Sequence, residues 1–173
     1  MSTTEQRLLI ESSEGRTVWL GGCGVTFKVF GEETGGAFSI VEHPVLPGTL
    51  IPPHIHHPED ELSYVVEGTF GVRIGDRVLE AAPGSYVFKP RGIPHTFWNA
   101  GSETARLVEI ISPAGFEHFF EELAAAFEAG GGQPDPELVQ ELGARYEHEY
   151  VIDWVPELEE RYGVSVLHGG GRK

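Results

Sequence analysis

From Thr17 to Ser112 apolar and polar positions trade places over short runs. Val25 to Phe30 alternates and stops at Gly31, while Ala37 to Val45 is apolar and β-branched and runs into Pro47-Gly48. Leu62 to Val66, Thr69 to Ile74 and Arg77 to Ala81 are brief segments divided by Gly68 and by Gly75-Asp76, a dipeptide that favours a hairpin turn. Tyr86 to Phe88, His95 to Asn99 and Thr104 to Ile111 continue the series. Short, evenly spaced strands with almost no helical period predict an all-β region, an antiparallel sandwich or barrel.

Beyond Pro113 the period lengthens. Phe116, Phe119, Phe120, Leu123 and Phe127 recur at helical spacing among Glu and Ala, and Gly130-Gly131-Gly132 closes that run. Asp135-Pro136 opens a second helix, with Asp at the cap and Pro at the first position. Its apolar stripe is Leu138, Val139, Leu142 and Tyr146. Pro156 to Tyr162 predicts a short third helix, with Asp153 as its candidate cap. The expected organisation is an N-terminal arm over 1–16, a barrel over 17–115, and C-terminal helices with a tail over 116–173 packed on the barrel. The wide Phe stripe must pack on something, since an isolated helix cannot hide it.

Composition narrows the partners. Twelve Lys+Arg stand against 27 Asp+Glu, a net charge of −15, and no stretch clusters the basic residues. A phosphate-tracking nucleic-acid surface and an anionic membrane are both poor matches. No apolar run approaches the roughly 18 residues of a membrane span, and Met1 to Arg16 lacks the apolar stretch of a signal peptide. Cys23 is the only cysteine, so no internal disulfide forms. The expectation is a cytoplasmic protein.

Histidines carry the candidate chemistry. His54 and His56 are two apart and share a face if they lie on a strand; Glu61 follows five residues later, and His95 sits in a later predicted strand. Three imidazoles and one carboxylate form a good donor set for one divalent transition metal: Fe, Mn, Ni, Co, Cu or Zn. Gly48, His54, His56, Glu61 and Gly68 spell Gly-x5-His-x-His-x4-Glu-x6-Gly. Gly84, Pro90, Gly92, His95 and Asn99 spell Gly-x5-Pro-x-Gly-x2-His-x3-Asn. These two motifs resemble those of the cupin superfamily at every signature position. Segments 31–42, 90–99 and 112–120 resemble the single-domain, quercetin-dioxygenase-like cupins.

The resemblance implies an antiparallel double-sheet jelly-roll barrel with a C-terminal helical appendage. It implies metal ligation by His54, His56, Glu61 and His95, with Glu61 doubling as catalytic base. It further implies a dioxygenase acting on a flavonol- or dione-like molecule. A non-oxidative isomerase or lyase, or a binding protein without turnover, are the alternatives. A homodimer is expected, because open sheet edges need cover and the strand Thr17–Leu20 can extend a partner's sheet.

Other residues carry weaker expectations. His57 should point away from the ligand face, His43 is a sheet-face residue without assigned chemistry, and His118, His148 and His168 should face solvent. Glu59 and Asp60 read as a solvated loop, and Arg73 and Arg106 as outward salt-bridge formers. Glu42 and Glu109 lie in apolar strands, and the pattern leaves open which of them faces inward. Asn99 is either a pocket residue or a turn residue. Cys23 reads as an inert small residue, and Phe38, Phe70, Tyr86, Phe88, Phe97 and Trp98 as barrel fillers.

Overall fold

The computed structural model of the chain describes residues 7–167. Eleven strands come first: β1 (Thr17–Leu20), β2 (Cys23–Val29), β3 (Ser39–Val45), β4 (Thr49–Leu50), β5 (His54–His56), β6 (Asp60–Glu67), β7 (Phe70–Ile74), β8 (Arg77–Ala81), β9 (Tyr86–Lys89), β10 (His95–Asn99) and β11 (Ala105–Ser112). Then follow α1 (Glu117–Ala129), α2 (Pro136–Arg145), β12 (His148–Tyr150), α3 (Val155–Tyr162) and β13 (Ser165–Val166). One sheet has the order β1-β2-β3-β11-β6-β9. The other runs β12-β5-β10-β4-β13, with β7 paired to β10 and β8 to β7. The strand pairs are antiparallel except β13 on β4. The expected double-sheet jelly roll is the fold observed, and the hairpin predicted at Gly75-Asp76 joins β7 to β8.

Strand parity decides what enters the barrel. On β3, Ser39, Val41, His43 and Val45 are buried; on β6, Glu61, Ser63 and Val65; on β11, Ala105, Leu107, Glu109 and Ile111. On β9 the same parity turns Lys89 inward and leaves Tyr86 and Phe88 outside, 71% and 57% exposed. Those two aromatics and the half-exposed Phe38 are therefore not barrel fillers, whereas Phe70 and Phe97 are. Strand β10 shows no alternation, because both of its faces are covered. Phe97 packs inside with Phe70, while Trp98 faces outward under α3, against Leu158 and Tyr162. Gly48 and Gly68, which bracket the ligand-bearing strands, both adopt left-handed backbone, at φ of 75° and 73°.

The apolar core is divided. One cluster fills the barrel between Cys23, Val45, Phe70, Phe97 and Leu107. A second joins Val25, Phe27, Val41 and Ile111 to Phe116 at the cap of α1, Phe119 and Leu123 from α1, and Leu142 from α2. The helical stripe thus packs on the barrel, and each fully buried Phe or Leu contributes roughly 1.5–3 kcal/mol. Asp135 caps α2 by accepting from the Glu137 amide at 2.9 Å. At α3 the cap position is Trp154, with no side-chain cap from Asp153. The C-terminal segment is also not purely helical. It adds β12 and β13 to the ligand-bearing sheet, strands too short for a periodicity to reveal. Among the described residues no helix is long and apolar enough to cross a membrane.

Candidate metal centre

Pro52-Pro53 breaks what would otherwise be one strand into β4 and β5, and both pieces pair with β10. That pairing sets His54 directly opposite His95. His56 shares the face of His54, two residues on, and Glu61 reaches in from β6 of the other sheet. The donor atoms of His54, His56, Glu61 and His95 all lie within 4.8 Å of one another, and all four residues are buried. The sequence-expected ligands are therefore brought together.

The backs of the rings are anchored. His54 Nδ1 donates to the Pro52 carbonyl at 2.6 Å and His95 Nδ1 to the Ile93 carbonyl at 3.0 Å. A carbonyl only accepts, so the proton sits on Nδ1 and the Nε2 lone pair is left for the centre. Burial, the largest cause, lowers the pKa of both imidazoles and favours their neutral, ligating form. His56 has Nδ1 3.4 Å from Glu59 Oε2 and Nε2 3.2 Å from Glu61 Oε1, yet neither nitrogen completes a hydrogen bond. Burial disfavours charge on His56, but Glu61 and Glu59 outweigh it and push its pKa up to about 9. A buried, unpartnered nitrogen beside a carboxylate is what a divalent cation satisfies, so the residues present fit a metal.

Behind the ligands lies a charged network that the sequence reading missed. Lys89, 1% exposed, stands opposite Glu61 in the β6–β9 register. Its Nζ is 2.9 Å from Glu61 Oε2 and 2.7 Å from Glu109 Oε2. Ser63 Oγ donates to the other Glu109 oxygen at 3.0 Å. Burial works against the charge on Glu61, but Lys89 and then His56 hold its carboxyl well below the usual range. For Glu109 burial wins over Lys89 and pushes the carboxyl up to about 7. A lysine at a strand end reads as surface; only its register against Glu61 reveals it.

The centre forms one wall of a cavity of about 70 Å³. The rest is mainly apolar: Leu20, Val25, Ile51, Phe97, Phe116, Phe119, Phe120 and Leu123, with Glu109, His43, His148 and Tyr150 at its margins. His148 is buried rather than solvent-facing, because β12 pairs with β5 and carries it inside. Burial, aided by the charge of His56, pushes it down to about 3. His43 is likewise interior; its Nδ1 donates to the Gly24 carbonyl at 2.9 Å, and burial lowers it to about 4.

The remaining candidates sort simply. Glu42 faces outward toward Lys28 and Arg106, and Arg73 pairs with Glu157 at 3.0 Å. His57 meets Glu149 at the rim, 3.1 Å away. His118 is part-exposed between Glu32 and Glu121, and His168 lies outside the described residues. Glu59 is buried against His56 rather than solvated, while Asp60 pairs with Arg91 at 2.8 Å. Asn99 is both buried and a turn residue: its Nδ2 donates to the Val45 and Glu103 carbonyls and its Oδ1 accepts from the Gly101 amide. Burial pushes the Cys23 thiol up to about 12, consistent with an inert residue.

Residues 42–111 match the family model described as Cupin domain. The chain is 35% identical over 69 residues to the protein SchB from Streptomyces halstedii, covering 40% of this chain and 50% of SchB. It spans about half the length of the curated relatives it matches. Similar solved structures include the polyketide cyclase RemF from Streptomyces resistomycificus (25% identity, 61% of this chain, 79% of RemF, TM-score 0.54). KdgF from Halomonas sp. (18% identity, 64% of this chain, 98% of KdgF, TM-score 0.57) shares the fold.

Proposed function

From the match of residues 42–111 to the cupin domain model we infer that this is a cupin and a metal-dependent enzyme acting on a small, dione-like oxygenated molecule, with cleavage by dioxygen as the leading reaction. The observation that supports this most is the convergence of three imidazoles, two of them back-anchored, and one carboxylate on a mainly apolar cavity. His54, His56, Glu61 and His95 would hold one divalent ion, which would polarise a substrate oxygen and exchange electrons.

The chain's own groups divide the remaining work. Lys89 keeps Glu61 ionised and fixed, so Glu61 serves as ligand and charge balance. Proton acceptance, assigned to Glu61 from the sequence, passes in this reading to Glu109, whose carboxyl titrates near neutrality at the cavity edge. The Phe and Leu wall excludes bulk water from the reacting atoms. A cavity of about 70 Å³ holds roughly two waters at about 30 Å³ each. That favours a short dione over a three-ring flavonol. The second reading, a non-oxidative proton-transfer enzyme on the same kind of substrate, is supported by the Lys89–Glu109 pair and by the likeness to a polyketide cyclase.

Protein without a His tag should carry one metal ion per chain by elemental analysis. Its Fe(II) form should consume oxygen with 2,4-pentanedione and not with a flavonol. Turnover that persists equally under argon hands the assignment to the second reading; dione binding without turnover in any metal form leaves a binding protein. Replacing both His54 and His56 by Ala should abolish occupancy. A full equivalent of metal in that double variant overturns the ligand set.

A further inference from the structure

The cavity holds an imidazole that the metal centre does not use. Strand β12 extends the ligand-bearing sheet beyond β5, with His148 opposite His56 and Tyr150 opposite His54. Opposed residues of an antiparallel pair share a face, so His148 points into the barrel as His56 does. Glu149, between them, points out to His57. The His148 ring lies 4.7 Å from that of His54 and 5.2 Å from that of His56, centroid to centroid. On its other side are Phe119 at 4.9 Å and Phe116 at 5.4 Å. It stands outside the group of donor atoms that converge within 4.8 Å.

His148 is 8% exposed, borders the cavity, and its Nδ1 is buried with no hydrogen-bond partner. An unpartnered polar atom in an aromatic wall costs stability. A phenylalanine would pack there without that cost, so the nitrogen calls for a ligand. The charge of the site narrows the ligand. The carboxyl groups lining the cavity are those of Glu61 and Glu109, and Lys89 is already shared between them. Apart from the metal, a dicarboxylate or a phosphate would find no cation to offset those carboxylates, whereas an uncharged oxygen meets no such repulsion.

We propose that His148 is a substrate-binding residue, hydrogen-bonding an uncharged carbonyl or hydroxyl oxygen of a molecule seated beside His54 and His56. This rests on the dione-type reading above. The C-terminal segment then supplies a polar contact on the aromatic wall of the pocket, and the barrel holds the metal.

The test uses the full chain loaded with Co(II), titrated with 2,4-pentanedione and with oxalate by calorimetry and visible absorption. Wild type should bind the dione more tightly than oxalate. His148→Phe should keep one metal per chain and melt no lower than wild type, yet bind the dione about fivefold or more weakly, the value of a lost hydrogen bond. His148→Gln, which retains a donor and an acceptor, should recover part of that loss. A smaller loss in His148→Phe, or loss of its metal, overturns the role given to His148. If the phenylalanine variant does not fold, His148→Leu is judged by the same two criteria. Wild type that holds metal but binds no dione removes the substrate reading and the His148 role together. Wild type that binds while His148→Phe binds equally removes only the latter.

Discussion

The two sides of the cavity are built by opposite means. The barrel side is polar and closely tied: His95 and Lys89 each have two partners, His54 is anchored on the Pro52 carbonyl, and Glu61 is approached by His56, His95 and Lys89 at once. The C-terminal side is aromatic and sparsely bonded: Phe116, Phe119 and Leu123 pack by shape, and His148 Nδ1 is left unpartnered. The chemistry is thus fixed by charge and hydrogen bonding, and the volume offered to a substrate by side chains that can vary without disturbing it. Sequence change in the second region should alter what binds, and change in the first should alter whether anything reacts.

Removing the C-terminal side altogether is the largest perturbation. Ending the chain after Ser112 strips α1, α2, β12, α3 and β13 from the sheets, exposing Leu20, Val25, Phe27, Val41 and Ile111. An apolar patch of that kind should drive aggregation. A soluble, cooperatively melting fragment would mean that the barrel stands alone and that the segment only shapes the pocket.

The barrel side breaks through its charges. Lys89→Met leaves Glu61 and Glu109 buried with no cation between them. Stranding one side of a buried ion pair costs about 3–5 kcal/mol, which urea unfolding of the metal-free protein will show. Adding Glu109→Gln should recover a good part of that loss, because one of the two stranded charges is gone. Equal losses in the single and double variants would mean that Lys89 stabilises by packing alone.

The same contrast explains what could be read from the sequence. The metal ligands were legible because spacing encodes them: His-x-His puts two rings on one strand face, and the Gly and Pro positions of the motifs fix the turns on either side. Helix α2 announced itself through Asp135-Pro136 and its stripe. Lys89 and the inward choice between Glu42 and Glu109 were not legible, since both depend on register between strands distant in the chain. His148 was least legible of all. Three residues, His148 to Tyr150, carry no period, and their burial comes wholly from docking on β5.

One imidazole from each side makes a finer comparison through pH. His43 belongs to the barrel and His148 to the C-terminal segment; burial is the largest cause that lowers both, to about 4 and about 3, from an ordinary 6.5. The unfolded chain takes up these protons near pH 6.5, whereas the folded chain refuses them until about 4 or 3. Between those limits the unfolded state binds more protons, so each group lowers stability as pH falls, by up to about 1.4 kcal/mol per unit. Glu109, pushed up to about 7, and His56, pushed up to about 9, act in the opposite sense: each contributes stability at low pH that is lost as pH rises through its folded value. Differences between variant and wild type therefore isolate each ring better than absolute curves. For the metal-free protein, His43→Phe and His148→Phe should each gain on wild type as pH falls from 6.5. The gain should level off near pH 4 for His43 and about one unit lower for His148. A pH-independent difference for His43→Phe would mean that the barrel does not hold that ring neutral; one for His148→Phe would mean that β12 opens to water before its histidine is forced to titrate.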